Sequence, residues 1–426
     1  MVHHALRGHD DGHVGGSQLR PQLRGLVTVL AIGFAVRLLF ATVLVPRLEE
    51  RANIASDPDR YADLATSILD RGELGFSPPG ATPTTVRGPA FPAWLALGML
   101  AGRSPRWISL WSSIPGLIAA AAIFLVLDRT GGRRAAIVGG LLCAIHPLSC
   151  FVSARVLPDE FYGAVLLLGL LAVGGTSVLG TKPRDPIVSA AIAGVFLSVA
   201  ALTRSTAALI MGALVIVLGV KERRVRAAAT VALIGAVLLG AWTVRTSALA
   251  GRTVFVESLV GYNFWLGEAA HRYGFAANFG EARARAHELM AEQAGVDTRS
   301  PSFYYGTLGP READRFDEQL SDAAVKLVTA APFNYLKRCA GGMFWFWVRA
   351  ETKARTVQYS LVALPLVGLG LLGLYKTGSR WFTFVVLAHL IIYAALCPMA
   401  RYSVQLYPLL CYLAGRVFVP RDLLDE

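Results

Sequence analysis

The chain reads as an all-α polytopic membrane protein, on three observations. Hydrophobic residues fill 54% of its 426 positions and charged residues only 16%. The apolar residues arrive in long blocks, where a soluble helix would keep a polar face. Basic residues gather in the short loops between those blocks, the bias that marks cytoplasmic loops. Spanning segments of this length and composition are helices, because lipid leaves no partner for an unbonded backbone group.

Residues 1–25 form a polar, glycine-rich cytoplasmic tail in which His3, His4, His9 and His13 are irregularly spaced, a pattern of disorder rather than of a metal site. Residues 26–45 are the first span. Arg20 and Arg24 precede it and no small-residue cleavage site follows, so it is an uncleaved anchor. Arg37 lies inside this span and needs a polar partner that the sequence does not name. Further spans at 107–127, 135–153, 161–179, 187–203, 207–220, 227–249, 357–375, 381–396 and 403–418 make about ten transmembrane helices. Loops carrying Arg129, Arg133 and Arg134, then Lys182 and Arg184, then Lys221, Arg223, Arg224 and Arg226, then Lys376 and Arg380, fall on one side. Both termini are therefore cytoplasmic.

This count divides the chain into an N-terminal transmembrane catalytic core at 26–249, an extracytoplasmic loop region at 250–356, and C-terminal helices with a short cytoplasmic tail at 357–426. The first outer loop, 46–106, is amphipathic. Asp57 there caps a helix that begins at Pro58, puts Tyr61, Leu64, Ala65, Ile68 and Leu69 on one face, and stops at Gly72. The apolar run 90–100 is too short to cross a bilayer and is interfacial or re-entrant. The larger outer loop carries a charged helix at 281–293, a second helical pattern at 313–329, and a closing segment at 332–348 whose Met-Phe-Trp-Phe-Trp reads as an aromatic belt.

The net charge of +12 does not mark a nucleic-acid binder, since the basic residues form no stripe or tail with interleaved aromatics. Cys143, Cys150, Cys339, Cys397 and Cys411 show no paired or metal-ligand spacing and read as reduced packing residues. On the outer side, isolated arginines stand at helix ends: Arg155 before Pro158-Asp159-Glu160, Arg204 in Leu-Thr-Arg-Ser-Thr, and Arg401 in Pro-Met-Ala-Arg-Tyr. One such residue is accounted for by snorkelling to headgroups. Several on the face that holds Asp57 and Arg87 favour an anionic ligand.

The order of these pieces resembles the membrane glycosyltransferases of the C-type fold, in particular the superfamily of protein O-mannosyltransferases and aminoarabinose-lipid A transferases. The resemblance rests on Asp57, Tyr61 and Ala65 after the first span; Arg87-Gly-Pro-Ala-Phe-Pro92; Pro158-Asp159-Glu160; Leu202-Thr-Arg204; Trp242-Thr-Val-Arg245; Gly261-Tyr-Asn-Phe-Trp265; and Arg401-Tyr402. It implies a plasma (inner) membrane enzyme, active on the extracytoplasmic side, that moves a sugar from a polyprenyl-phosphate carrier to an acceptor with inversion, without a cofactor or catalytic metal. By the same match Asp57 is the candidate base, and Asp159 a second catalytic carboxylate. Arg204, Arg401, Arg87 and Arg245 would bind the donor phosphate, since guanidinium groups make paired charge-assisted bonds to phosphate. Tyr61, Glu160 and Tyr402 would contact or orient the substrates.

Asp57 and Asp159 also stand where helix caps stand, and a cap alone accounts for either. Asp57 and Asp59 have Asp-x-Asp metal spacing, a two-residue match that arises by chance. A lipid-linked sugar flippase or other transporter is the competing reading, but it calls for an internal repeat and for its candidate charges near mid-span, whereas the sequence shows no convincing repeat and the candidate site charges gather at the outer helix ends.

Overall fold

The computed structural model describes residues 15–52, 57–76, 83–174, 185–272, 308–350 and 352–420. The charged pattern at 281–293, the histidine-bearing tail and the Lys182/Arg184 loop lie outside the described residues. Among those described the chain is helical, with one isolated bridge between Gly75 and Pro83. It is an all-α polytopic membrane protein. Six helical stretches are long and apolar enough to cross a membrane: Gln22–Arg51, Pro105–Thr130, Gly132–Ala154, Pro186–Thr203, Val225–Ala250 and Lys353–Thr377. Shorter apolar helices occupy Ala90–Met99, Thr206–Lys221 and Trp381–Ala395.

The first stretch is α1 (Gly15–Leu39), one π-helical turn, and α2 (Val45–Ala52), so it runs past the residue 45 limit expected from hydropathy. The connection that follows holds α3 (Tyr61–Arg71) and α4 (Ala90–Met99), which pack on each other. Then α5 (Pro105–Ser112) breaks into α6 (Ile114–Thr130), and α7 (Gly132–Ile145) into α8 (Pro147–Ala154). Pro115 and Pro147 sit in the first turn of the second helix of each pair, where a missing N–H is tolerated but the preceding helix cannot continue.

At the centre is α9 (Asp159–Val173), apolar all round and buried along nearly its whole length. It packs against α6, α8, α10 (Pro186–Thr203) and α19 (Tyr407–Arg416). Next come α11 (Thr206–Ile216) and α12 (Val225–Ala250), then α13 (Val260–Arg272) and α14 (Pro310–Ala330), which pack together beyond the bundle. Leu259, Trp265, Leu266, Phe316 and Leu320 give this pair its own small core, which also takes in Val86 and Cys397. α15 (Pro332–Val348) lies against α17 (Arg380–Ala395), and α16 (Lys353–Thr377) against α19. The last span is irregular, with α18 (Ala400–Ser403) and a 3-10 turn preceding α19.

Two sequence expectations change. The surface helix starts at Tyr61, not Pro58, because Arg60 takes a left-handed φ of 57° and closes a turn on Asp57. The 343–347 cluster is only partly a lipid-facing belt: Phe344 is exposed, but Phe346 is buried and stacks on Tyr393 at 5.6 Å.

The two ends of the bundle differ in chemistry. At one, Arg133 donates to Gln22 O, Lys376 to Val417 O, and Trp381 to Glu222, tying the basic loops together. The described part of the 57–106 stretch and the α13–α14 pair, joined through Val86, lie at the other. Two glycines shape that second end. A Cβ at Gly163 would come within 2.6 Å of Gln405 O, and one at Gly88 within 2.0 Å of Leu202 O. Only glycine lets the 400–406 segment and the Arg87 loop come so close to the ends of α9 and α10.

Candidate active site

Asp159, at the first position of α9, is fully buried and holds three partners. Arg204 Nη2 donates to its Oδ1 at 3.1 Å, Gln405 Nε2 to the same oxygen at 2.8 Å, and Arg401 Nε to Oδ2 at 2.9 Å. Gln405 is fixed in turn by the Tyr393 hydroxyl, which donates to its Oε1 at 2.8 Å. Arg204 is there because α10 ends at Thr203 and the backbone turns extended at the next residue. Arg401 is there because α18 interrupts the last span.

Arg401 reaches further through Nη2 to Asp59, which also faces Arg87 Nη2 at 3.7 Å. Arg87, Arg204 and Arg401 thus converge from three separate stretches of chain upon Asp59 and Asp159. Three guanidinium groups against two carboxylates leave one positive charge. Aromatic rings back this cluster: Arg87 lies over Tyr61 at 5.7 Å, and Arg204 and Arg401 over Tyr402 at 5.1 and 5.8 Å. Arg204 is over nine-tenths buried, and its Nε has no hydrogen-bond partner among the described residues. An unanswered donor on a buried cation is where an anion gains most.

The two carboxylates of the turn before α3, Asp57 and Asp59, part ways. Asp57, half-buried, accepts from the Tyr61 and Ala62 N–H groups at 2.9 and 2.6 Å, so it caps α3 from four residues back. Burial pushes its carboxyl up to about 7 despite those two donors, and the neighbouring Asp59 charge pushes the same way. Burial raises Asp59 as well, but the Arg401 and Arg87 charges outweigh it and hold Asp59 well below the ordinary carboxylate range. With one aspartate turned to a helix and the other to arginines, the Asp-x-Asp pair does not converge.

Other residues singled out in the sequence lie apart. Glu160 is turned into the bundle, where Arg37 Nη1 and Nη2 bond its two oxygens at 2.6 and 2.7 Å, and it does not join the arginine cluster. Arg245 stacks on Trp242 and donates to Thr84 O and Leu74 O at 3.3 and 3.4 Å, stapling the α3–α4 connection rather than joining the cluster. Arg155 stacks on Phe151 at 5.6 Å. Sequence reasoning gave Gln405 no role, and Asp59 only that of a metal motif and of a fallback base should Asp57 be only a cap. A polar residue within the last apolar span, four after Arg401, was the available signal for Gln405.

Fold and site together define a helical membrane protein with a buried arginine–aspartate cluster at one end of its bundle. No protein-family model and no curated protein sequence matches the chain. Among solved structures, it is similar to the archaeal oligosaccharyltransferase AglB of Archaeoglobus fulgidus in complex with an inhibitory peptide and a dolichol-phosphate. That match has 14% identity and a TM-score of 0.48, over 92% of this chain and 50% of that one. It is also similar to ArnT of Cupriavidus metallidurans in the apo state, with 15% identity and a TM-score of 0.42, over 95% of this chain and 78% of that one. The chain thus spans about half the length of the oligosaccharyltransferase it matches.

Proposed function

We propose that the protein is an integral-membrane glycosyltransferase that moves a sugar from a polyprenyl-phosphate-linked donor to an extracytoplasmic glycan, lipid or protein acceptor, with inversion. The observation that carries this reading is the arginine cluster anchored on Asp159, with an unanswered Nε on Arg204. A donor of this kind leaves as a lipid phosphate, and preorganised guanidinium groups stabilise the charge that develops on it. In the reaction the acceptor hydroxyl oxygen forms the new bond to the anomeric carbon. The carbon–oxygen bond to phosphate breaks, its electron pair leaves with the phosphate, and the hydroxyl proton passes to a carboxylate.

Asp57 suits that last role, because a base works best with a pKa near the operating pH and its carboxyl is pushed up to about 7. Asp59, held low by two arginines, is a poor base and instead positions Arg401 and Arg87. Asp159 does the same for Arg204 and Arg401 from below. Tyr61 and Tyr402 hold the guanidinium planes. The basic loops at the opposite end support a site on the extracytoplasmic side of a plasma (inner) membrane, under the positive-inside rule.

The test is release of polyprenyl phosphate from a radiolabelled lipid-linked sugar by purified protein, with envelope glycans and lipids as acceptors. Arg204→Lys keeps the charge and loses the paired geometry, so transfer is expected to fall sharply in a folded protein. Wild-type protein that neither binds undecaprenyl phosphate nor consumes any lipid-linked sugar would refute the proposal.

A further inference from the structure

Beside the arginine cluster is a small, partly open cavity with Arg204, Glu257, Asn263, Tyr393, Cys397 and Tyr402 in its wall. Arg204 and Tyr402 belong to both places. A phosphate held by Arg204 therefore puts whatever it carries next to this cavity.

Glu257 is built into that wall. Its Oε1 accepts from the Ser205 N–H at 3.4 Å and the Ser205 hydroxyl at 3.3 Å, so it is tied to the residue after Arg204. Val256, immediately before it, is fully buried with a φ of 62°, and its carbonyl accepts from Trp242 Nε1 at 3.0 Å. A β-branched residue in the left-handed region is strained, and such strain persists where surrounding structure enforces it. The described non-glycine residues with positive φ are Arg60, Val156, Arg223 and Val256. Arg60 follows Asp59, Val156 comes three residues before Asp159, and Val256 precedes Glu257. The same kind of backbone strain thus adjoins two carboxylates of the cluster and Glu257. Asn263, in the first turn of α13, supplies a second polar group, its Nδ2 donating to Leu259 O at 3.0 Å.

Resting on the donor-phosphate reading above, we propose that Glu257, with Asn263, recognises the phosphate-linked sugar residue of the donor by accepting hydrogen bonds from its hydroxyl groups in this cavity. A site built to bond hydroxyl groups discriminates strongly, because an ill-matched ligand leaves its polar groups unpaired. Glu257 is a positioning and specificity residue, distinct from the groups that bind phosphate.

The experiment compares binding of undecaprenyl phosphate alone with undecaprenyl phosphate carrying one mannose, glucose or arabinose, using purified protein in lipid nanodiscs. Wild type is expected to bind at least one sugar-bearing lipid about 10-fold or more tighter than the bare lipid, the scale of a hydrogen bond to a charged group. Glu257→Gln is expected to bring that ratio close to one while leaving the bare lipid's Kd unchanged, and Glu257→Asp to restore part of it. Equal weakening of all lipids by Glu257→Gln would overturn the proposal and leave Glu257 as a support for Ser205. Equal affinity of wild type for bare and sugar-bearing lipids would overturn it too. Absence of wild-type binding to undecaprenyl phosphate would instead fail the phosphate reading, and this proposal with it.

Discussion

Glu160→Gln tests whether the second carboxylate of Pro158-Asp159-Glu160 acts on substrate or on the bundle. Arg37 uses every N–H donor it has: Nε on Ala144 O at 3.0 Å, Nη1 on Ser113 O at 3.0 Å, Nη2 on Cys143 O at 3.1 Å, and two on Glu160 at 2.6 and 2.7 Å. Ser149 adds a bond to Glu160 Oε1 at 2.8 Å. The side chains of Arg37 and Glu160 are 0% and 1% exposed, so water does not take over a lost bond.

Glutamine has nearly the same shape, but turns an N–H donor toward the guanidinium and leaves its charge uncompensated. Removing one partner of a buried pair costs about 3–5 kcal/mol. Removing both charges, in Arg37→Met with Glu160→Met, is expected to cost less than Glu160→Gln alone, since no bare charge remains. The assay is thermal unfolding of each variant in one detergent, with transfer measured at a temperature where all are folded. Expected are a clear loss of stability in Glu160→Gln, partial recovery in the double variant, and a near-normal KM for donor. A Glu160→Gln protein as stable as wild type but with a raised KM would refute the structural role.

Other outcomes follow from the same geometry. If Asp57 takes the acceptor proton it must be ionised, so turnover is expected to climb as pH rises through about 7 and then level. Asp57→Asn, still a good cap for α3, is expected to lose that limb and about 10²–10⁴-fold in rate, where a pure cap would leave both in place. Arg401→Lys breaks the bridge between Asp59 and Asp159 and is expected to weaken donor binding about 10- to 100-fold in direct binding assays. Arg245→Lys, at a residue that bonds backbone carbonyls and stacks on Trp242, is expected to change stability more than donor binding. Sidedness is checked by single cysteines at Glu73 and Asp297 in a background without native cysteines. Both are expected to react with an impermeant thiol reagent in intact cells, and labelling only after lysis would reverse the topology.

What the sequence conveyed, and what it withheld, follows from where each residue sits. Apolar helices such as α9 and α12 are legible from composition because burial in lipid or in a bundle demands it along their whole length. Arg204 and Arg401 are legible as well, since a cation at the end of an apolar segment serves either the headgroups or a ligand. The pairing of Arg37 with Glu160, 123 residues away, is not, because nothing local distinguishes a buried partner from a substrate ligand. Asp57 and Asp59 show the same limit at short range. A proline at residue 58 satisfies every local rule for starting a helix, yet the chain turns left-handed at Arg60, with Asp59 on Arg401 and Arg87 and Asp57 on Tyr61 and Ala62. The site is therefore made at interruptions: the turn at 57–60, the loop at 84–89, the junction at 154–158, the break after Thr203 and the one before Ala400. Regular helix is set by hydrogen bonds within one segment, so its sequence suffices to specify it. An interruption is set by what the neighbouring segments pull on, so polar residues that look idle within one segment acquire their partners, and their chemistry, in the assembled bundle.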